Sequence, residues 1–249
     1  GDCRHSFNCS TAVSFFLADR GYQVVKHGNR AVSSTCGSAD VVEDLGYPLV
    51  SDPEAAKVEL AKRNFVFLFA PHFHPAFRHV GPIRQQLGIR TIFNLMGPLL
   101  NPAMPTHQIL GVPDFRFAPM MGKVLAARQG LDRAAIVQGA GGFDELTPCG
   151  PGRVIFVEHG SIRETCLDPY EFGMAACSAQ DLSCPSRSEA LQRQREVLSG
   201  RGSQPLQDMV VLNLGLALHL LEDHLSLPAA MNEARMHVSR GLSRGASHA

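Results

Sequence analysis

The sequence lacks net charge, because 23 Lys and Arg residues are balanced by 23 Asp and Glu. No global field therefore draws the chain toward nucleic acid or an anionic membrane surface, and any anion site has to be local. It also lacks a Cys-x-x-Cys pair. Its seven cysteines (Cys3, Cys9, Cys36, Cys149, Cys166, Cys177 and Cys184) are odd in number and widely scattered, which points to reduced thiols in a cytoplasmic protein. No apolar run reaches the roughly 20 residues that a membrane span requires. The most apolar stretch, Met209 to Leu221, is shorter and carries Asn213 and His219, so it reads as a buried helix. No cationic segment with a following apolar run stands at the start, so no secretory signal is expected. The chain opens on Gly1-Asp2 rather than methionine, and a processed or truncated front end is expected.

What is present fits a folded domain. Hydrophobic residues make up 45% and charged residues 18% of 249 positions, which argues against general disorder. Thr11 to Arg20 has helical spacing and stops at Gly21. Tyr22 to His27 reads as a short strand, and Gly28 to Gly37 as a loop that hands over to a helix capped by Ser38 and ending at Gly46. A second helix opens at Asp52-Pro53 and runs to about Asn64. Phe65 to Ala70 is apolar without alternation, as a strand covered on both faces should be. Pro75 to Leu87 reads as helical, Gln108 to Val112 and Ala134 to Gln138 as strands, and Phe117 to Gln129 as the helix between them. Arg153 to Cys166 reads as a hairpin around His159-Gly160, and the chain from about Ser186 is helical. The fold expected is α/β, with a mainly parallel central sheet covered by helices on both faces and a helical C-terminal part. The break at Asp168 to Pro185 is taken as a loop, giving a single domain over residues 1–249.

The chemistry concentrates between Lys26 and Ser38. A chain leaving a buried strand and entering a helix presents free N–H groups and the positive end of a helix dipole, small residues allow close approach, and Lys26 adds a full charge. Ligands of α/β proteins also bind beyond the carboxyl ends of strands. From this pattern alone, an anion loop and an ordinary well-capped turn are equally good readings. The adjacent acids Asp144-Glu145 alone read as a solvated pair, and His72, His74 and His79 have no Cys or carboxylate at the spacing of a zinc site.

Taken together and in order, four segments are more specific. Asn8-Cys9-Ser10-Thr11, the run Lys26-His27-Gly28-Asn29-Arg30 with Gly37-Ser38-Ala39-Asp40, the stretch Phe67 to Val112 with His74, Arg84, Leu87 to Thr91 and Asn94 to Pro98, and Gly142 to Leu146 resemble the anthranilate phosphoribosyltransferase family. The resemblance spans about 150 residues, and it implies transfer of a phosphoribosyl group from phosphoribosyl pyrophosphate to the amine of anthranilate, a step of tryptophan biosynthesis. It further implies that Asn8, Ser10, Thr11, Lys26 and Ser38 contact the ribosyl donor, with Ser6, Gly1 and Asp2 as further members. Asn29, His74, Arg84 and His27 would form the anthranilate site. Ser10, Asp144 and Glu145 would hold Mg²⁺. No catalytic acid, base or nucleophile is implied, since the amine is itself the nucleophile and the protein positions and neutralises charge. A homodimer is implied for the full-length protein.

The sequence departs from the family pattern in places. Of the expected Gly-Thr-Gly-Gly-Asp-Gly loop only Gly1-Asp2 stands here, with Cys3 at the last glycine, and the family's N-terminal helical region has no counterpart. Thr35-Cys36 replaces a frequent Lys-Ser, and Gln138 a frequent histidine. Two other readings are a catalytically silent truncated paralogue that only binds, and an enzyme resembling pyrimidine-nucleoside phosphorylase.

Overall fold

The structure, a computed structural model, describes residues 7–30, 37–75 and 96–243. In the first part α1 (Cys9–Asp19) leads into β1 (Val24–Gly28), α2 (Ser38–Asp44), β2 (Leu49–Val50), α3 (Pro53–Arg63), β3 (Phe65–Phe69) and the single turn α4 (Ala70–Phe73). The three strands are parallel in the order β1-β3-β2. β3 is central, and its lack of alternation has a direct cause. Phe65 and Phe67 enter the main core on the α1 side, whereas Val66 and Leu68 pack on the other face with Ala56 and Leu60 of α3. The helix termini follow local chemistry. Asp52 caps α3 by accepting from the Ala55 amide at 2.9 Å, and Asn64 closes that helix in the left-handed region with φ 54°. The expected Ser38 cap is displaced by one residue. Gly37 is the N-cap and donates its amide to Asp40 Oδ2 at 3.0 Å, so Ser38 is already the first helical residue.

A second sheet contains β4 (His107–Gly111), β5 (Arg133–Gln138), β6 (Gly152–Glu158) and β7 (Ser161–Leu167), with α5 (Ala118–Ala126) between β4 and β5. β4 and β5 are parallel, and β6 and β7 add antiparallel. The expected hairpin turns at His159 and Gly160, both with positive φ (48° and 81°), the backbone a two-residue hairpin turn requires. Alternation assigns the two faces. Ala135, Val137, Val154 and Phe156 point to the main core, while Ala134, Ile136, Ile155 and Val157 pack against Met121 and Leu125 of α5. Across the described residues both sheets therefore carry helices on both faces, as the α/β reading expects, with antiparallel strands added at one edge. β7, the outer strand, is largely exposed and carries Arg163 and Glu164, charges that discourage further strand pairing.

Residues 168–185 contain two short 3-10 turns, Pro169–Phe172 and Ala179–Leu182, and the Phe7 amide donates to Leu182 O at 3.0 Å. Three helices follow: α6 (Arg187–Leu198), α7 (Gln204–Leu221) and α8 (Leu227–Arg240). α7 is apolar around its circumference because it is enclosed, by α1 and α8 among others, and Leu206, Met209, Leu212, Leu214, Leu216 and Leu218 are all at 1% exposure or less. Among the described residues no helix is long and apolar enough to cross a membrane. The main core draws on residues from Phe7 to Val238. The helix expected from Pro75 to Leu87 lies, apart from Pro75, outside the described residues.

Close approach of α7 and α8 depends on Gly215. A methyl group there would sit 2.4 Å from Met231 Sδ and 3.0 Å from Met231 Cα. Overfilling a packed contact costs about 1–3 kcal/mol, so Gly215→Ala should lower the urea-unfolding free energy by that amount. An unchanged midpoint would show that the helices separate freely.

Candidate functional site

Three remote segments meet at Lys26, in the middle of β1. Lys26 Nζ donates to Ser10 Oγ at 2.9 Å, and the Ser10 amide donates to Glu145 Oε1 at 2.7 Å. Ser10 lies in the first turn of α1, where backbone N–H groups have no partner inside the helix, and the Glu145 carboxylate uses one of them. Asn8 is the N-cap of the same helix. Thr11 is fully buried, and its hydroxyl has no hydrogen-bond partner among the described residues. Lys26 is crowded by protein without being sealed from water. Burial pushes its ammonium down to about 8, against the opposing pull of Glu145 first, then Cys9 and Asp144. Burial, with Glu145 adding to it, raises the neighbouring Cys9 thiol well above its usual range.

Glycines at strand ends make this convergence possible. β4 ends at Gly111, where a Cβ would fall 1.6 Å from the Asp144 carbonyl oxygen; at Gly139, just past β5, a Cβ would fall 2.1 Å from that of Glu145. The acidic pair therefore crosses directly over the ends of both strands. At Gly28, the end of β1, a Cβ would meet Phe67 at 2.9 Å and Ser38 Oγ at 3.1 Å, so Ser38 is held against the strand end. Gln138, at a position where a histidine is frequent in the resembling family, donates from Nε2 to Pro113 O at 2.8 Å and ties β5 to the segment after β4.

A second group lies along β1. The rings of His27 and His74 meet edge to face with centroids 4.9 Å apart. His27 is pushed down to about 4, by burial first and by the neighbouring His74 second, which keeps it neutral at pH 7, and its Nε2 is buried with no partner among the described residues. Asn29 is exposed and accepts from the Arg30 amide at 2.8 Å. Arg30, not singled out from sequence, pairs with Asp40 at 3.2 Å and Glu43 at 2.6 Å across α2. Gly1, Asp2, Ser6 and Arg84 lie outside the described residues. The structure thus brings Ser10, Lys26 and Glu145 together, Asp144 beside them in the chain, and His27 with His74.

The a/b domain of a glycosyl transferase family matches residues 1–244. Anthranilate phosphoribosyltransferase of Nitratidesulfovibrio vulgaris is 53% identical over all of this chain and 75% of its own length. That of Oleidesulfovibrio alaskensis is 54% identical over 97% of this chain and 72% of its own. The chain belongs to the anthranilate phosphoribosyltransferase family. Its fold agrees with that of the Thermus thermophilus member, with TM-score 0.89, 37% identity, and 99% and 73% of the two chains covered. The Saccharomyces cerevisiae member in complex with PRPP and Mg superposes with TM-score 0.86 at 29% identity, over 99% of this chain and 69% of that one. The chain is accordingly a phosphoribosyltransferase of the glycosyltransferase class; Gly111 lies within one of the segments that carry the family resemblance, whereas Gly139 lies outside them.

The oxygen donors at the centre suit Mg²⁺, an ion usually held by one or two carboxylates together with substrate phosphates. Ser10, Asp144 and Glu145 offer a hydroxyl and two carboxylates. Among the described residues no group of three His, Cys, Asp or Glu side chains is placed to hold a metal ion by itself.

Two outcomes are expected. Gly111→Ala should cost about 1–3 kcal/mol and, by moving the acidic pair, raise hydrogen exchange at the Ser10 amide. Gly97→Ala, where a Cβ meets nothing within 4 Å among the described residues, should do neither; equal behaviour of the two would contradict the account. Lys26 gives a pH signature. Between about 8 and its unfolded value of 10.5, the unfolded chain keeps a proton that the folded protein has released, so this group makes stability rise with pH. Above 9.0 the raised Cys9 thiol acts in the opposite sense. The stability of wild type relative to Lys26→Met should therefore grow from pH 8 to pH 9 in denaturant titrations, and a flat difference would place Lys26 in open solvent.

Proposed function

We propose that the protein transfers the phosphoribosyl group of phosphoribosyl pyrophosphate to the amine of anthranilate, releasing pyrophosphate. The observation that carries this reading is the Lys26–Ser10–Glu145 connection, a cation, a hydroxyl and a carboxylate gathered at a helix N-terminus. In the reaction the amine nitrogen forms a bond to the anomeric carbon as the bond from that carbon to the pyrophosphate oxygen breaks, and the amine then gives up a proton. Positive charge spreads over the sugar while negative charge grows on the leaving group, so acceleration comes from alignment and charge compensation. Lys26 and the positive dipole end of α1 face the donor's phosphates, with Asn8, Thr11 and Ser38 beside them and Gly1, Asp2 and Ser6 as further contacts. When bound, Mg²⁺ at Ser10, Asp144 and Glu145 neutralises pyrophosphate charge.

The acceptor side uses His27, Asn29, His74 and Arg84. Neutral His27 beside His74 offers an uncharged aromatic wall, and Arg84 provides the planar fork that suits a carboxylate. The single α/β domain over residues 1–249, a cytoplasmic location and a homodimer belong to the same proposal.

Incubation with anthranilate, phosphoribosyl pyrophosphate and Mg²⁺ should quench anthranilate fluorescence, and omission of any one component should abolish the change. Phosphorolysis of a pyrimidine nucleoside instead, or binding without turnover, would overturn the proposal. Arg84→Ala should raise the anthranilate KM by about 10- to 100-fold, the loss of a charge-assisted contact, while leaving the KM of the donor nearly unchanged; equal effects on both would contradict the acceptor role.

A further inference from the structure

The buried amide of Asn213 has no role in the reaction described above, yet it touches both halves of the proposed cation site. It is 6% exposed on α7, a helix whose other buried residues are, apart from Asp208 and Gly215, leucine, valine, methionine and alanine. An amide placed there without partners costs about 1–3 kcal/mol, so its partners explain its presence. Oδ1 accepts from the Leu146 amide at 3.1 Å, and Nδ2 donates to Leu146 O at 2.8 Å and to Met209 O at 2.8 Å. Both backbone groups of one residue are therefore held by one side chain, which fixes the orientation of the chain there as well as its position. Leu146 directly follows Glu145.

The other half is reached through Cys9. Asn213 Nδ2 lies 3.5 Å from Cys9 Sγ, and Cys9 Sγ donates to Met209 O at 3.5 Å. Met209 and Asn213 are four residues apart, on the same face of α7, and Cys9 directly precedes Ser10. One face of a single helix thus touches the residue before Ser10 and the residue after Glu145.

We infer that Asn213 is a positioning residue for the divalent-cation end of the site, clamping Leu146 so that Glu145 meets the Ser10 amide. This rests on the proposal that Ser10, Asp144 and Glu145 hold Mg²⁺, and it adds a residue 67 positions away along the chain. The role is distinct from general packing, because a clamp of this kind sets the relative placement of two ligand-bearing segments whereas the neighbouring leucines only fill volume.

The test is calorimetric binding of phosphoribosyl pyrophosphate at a series of Mg²⁺ concentrations, which needs no turnover. Outer partners of metal ligands typically account for about 10- to 100-fold in metal affinity. Asn213→Leu, which keeps most of the volume and removes the clamp, should raise the Mg²⁺ concentration for half-maximal donor binding at least about ten-fold. It should also accelerate exchange of the Leu146 amide. Leu220→Ala on the same helix, buried at 1% and about two turns along from Asn213, should lower the melting temperature without moving the Mg²⁺ midpoint. If Asn213→Leu does not fold, Asn213→Ser, which cannot reach both Leu146 groups, replaces it. An unmoved midpoint in the Asn213 variant, or a shift no larger than in Leu220→Ala, overturns the inference while Asp144→Asn and Glu145→Gln still raise the Mg²⁺ requirement. If those two acid variants also leave the midpoint unmoved, the cation-site proposal itself fails and takes the inference with it.

Discussion

A lysine held between protein walls and one serine hydroxyl is the constraint on which the rest of this centre depends. Lys26 is too crowded to keep its ordinary proton affinity, so its charge has to be answered locally. Its contact with Ser10 and the pull of Glu145 and Asp144 provide that answer. Each partner needs a different part of the fold: α1 must begin beside β1, and the loop after β5 must fold back over the strand ends. The polar centre is thus a product of long-range architecture, with Ser10 and Glu145 separated by 135 positions in the chain.

The backbone makes room for this at the strand ends. Gly28, Gly111 and Gly139 stand at or just beyond the carboxyl ends of β1, β4 and β5, and in each case a Cβ would collide with Ser38 and Phe67, Asp144 or Glu145 respectively. Ligands of α/β proteins collect at this edge because strands end there and helices begin, leaving N–H groups and dipole ends exposed. Here the absence of side chains at three points lets donor groups approach one another closely. Family membership and geometry both support the proposed phosphate-handling centre at that edge.

Much of the fold was legible in the sequence because its local signals agree with its tertiary setting. The unbroken apolar run at β3 meant two covered faces, His159-Gly160 marked a hairpin turn, and Asp52-Pro53 marked a helix start, all as found. Ser38 missed its expected capping role because Asp40, three residues past Gly37, satisfies the Gly37 amide from within the helix. The Lys26 to Ser38 segment could not be separated from a simple capped turn by pattern, since what distinguishes it is a carboxylate more than a hundred residues away. Gly111 and Gly139 were invisible for the same reason, as nothing local to a strand end reveals which loop crosses it. Asn213 was noticed only as a polar interruption of an apolar helix, and its partner Leu146 belongs to another segment altogether.

The central claim is that Ser10, Lys26 and the Asp144-Glu145 pair form the phosphate and cation end of a phosphoribosyl pyrophosphate site. It is tested most directly by a crystal structure of the protein with that donor and Mn²⁺ in place of Mg²⁺, the metal located by its anomalous scattering. The account predicts a peak within about 2.0–2.4 Å of oxygen atoms from this set, with the donor's phosphates against Lys26 and the start of α1. Ordered donor and metal bound elsewhere, with Lys26 still bonded only to Ser10, would contradict it.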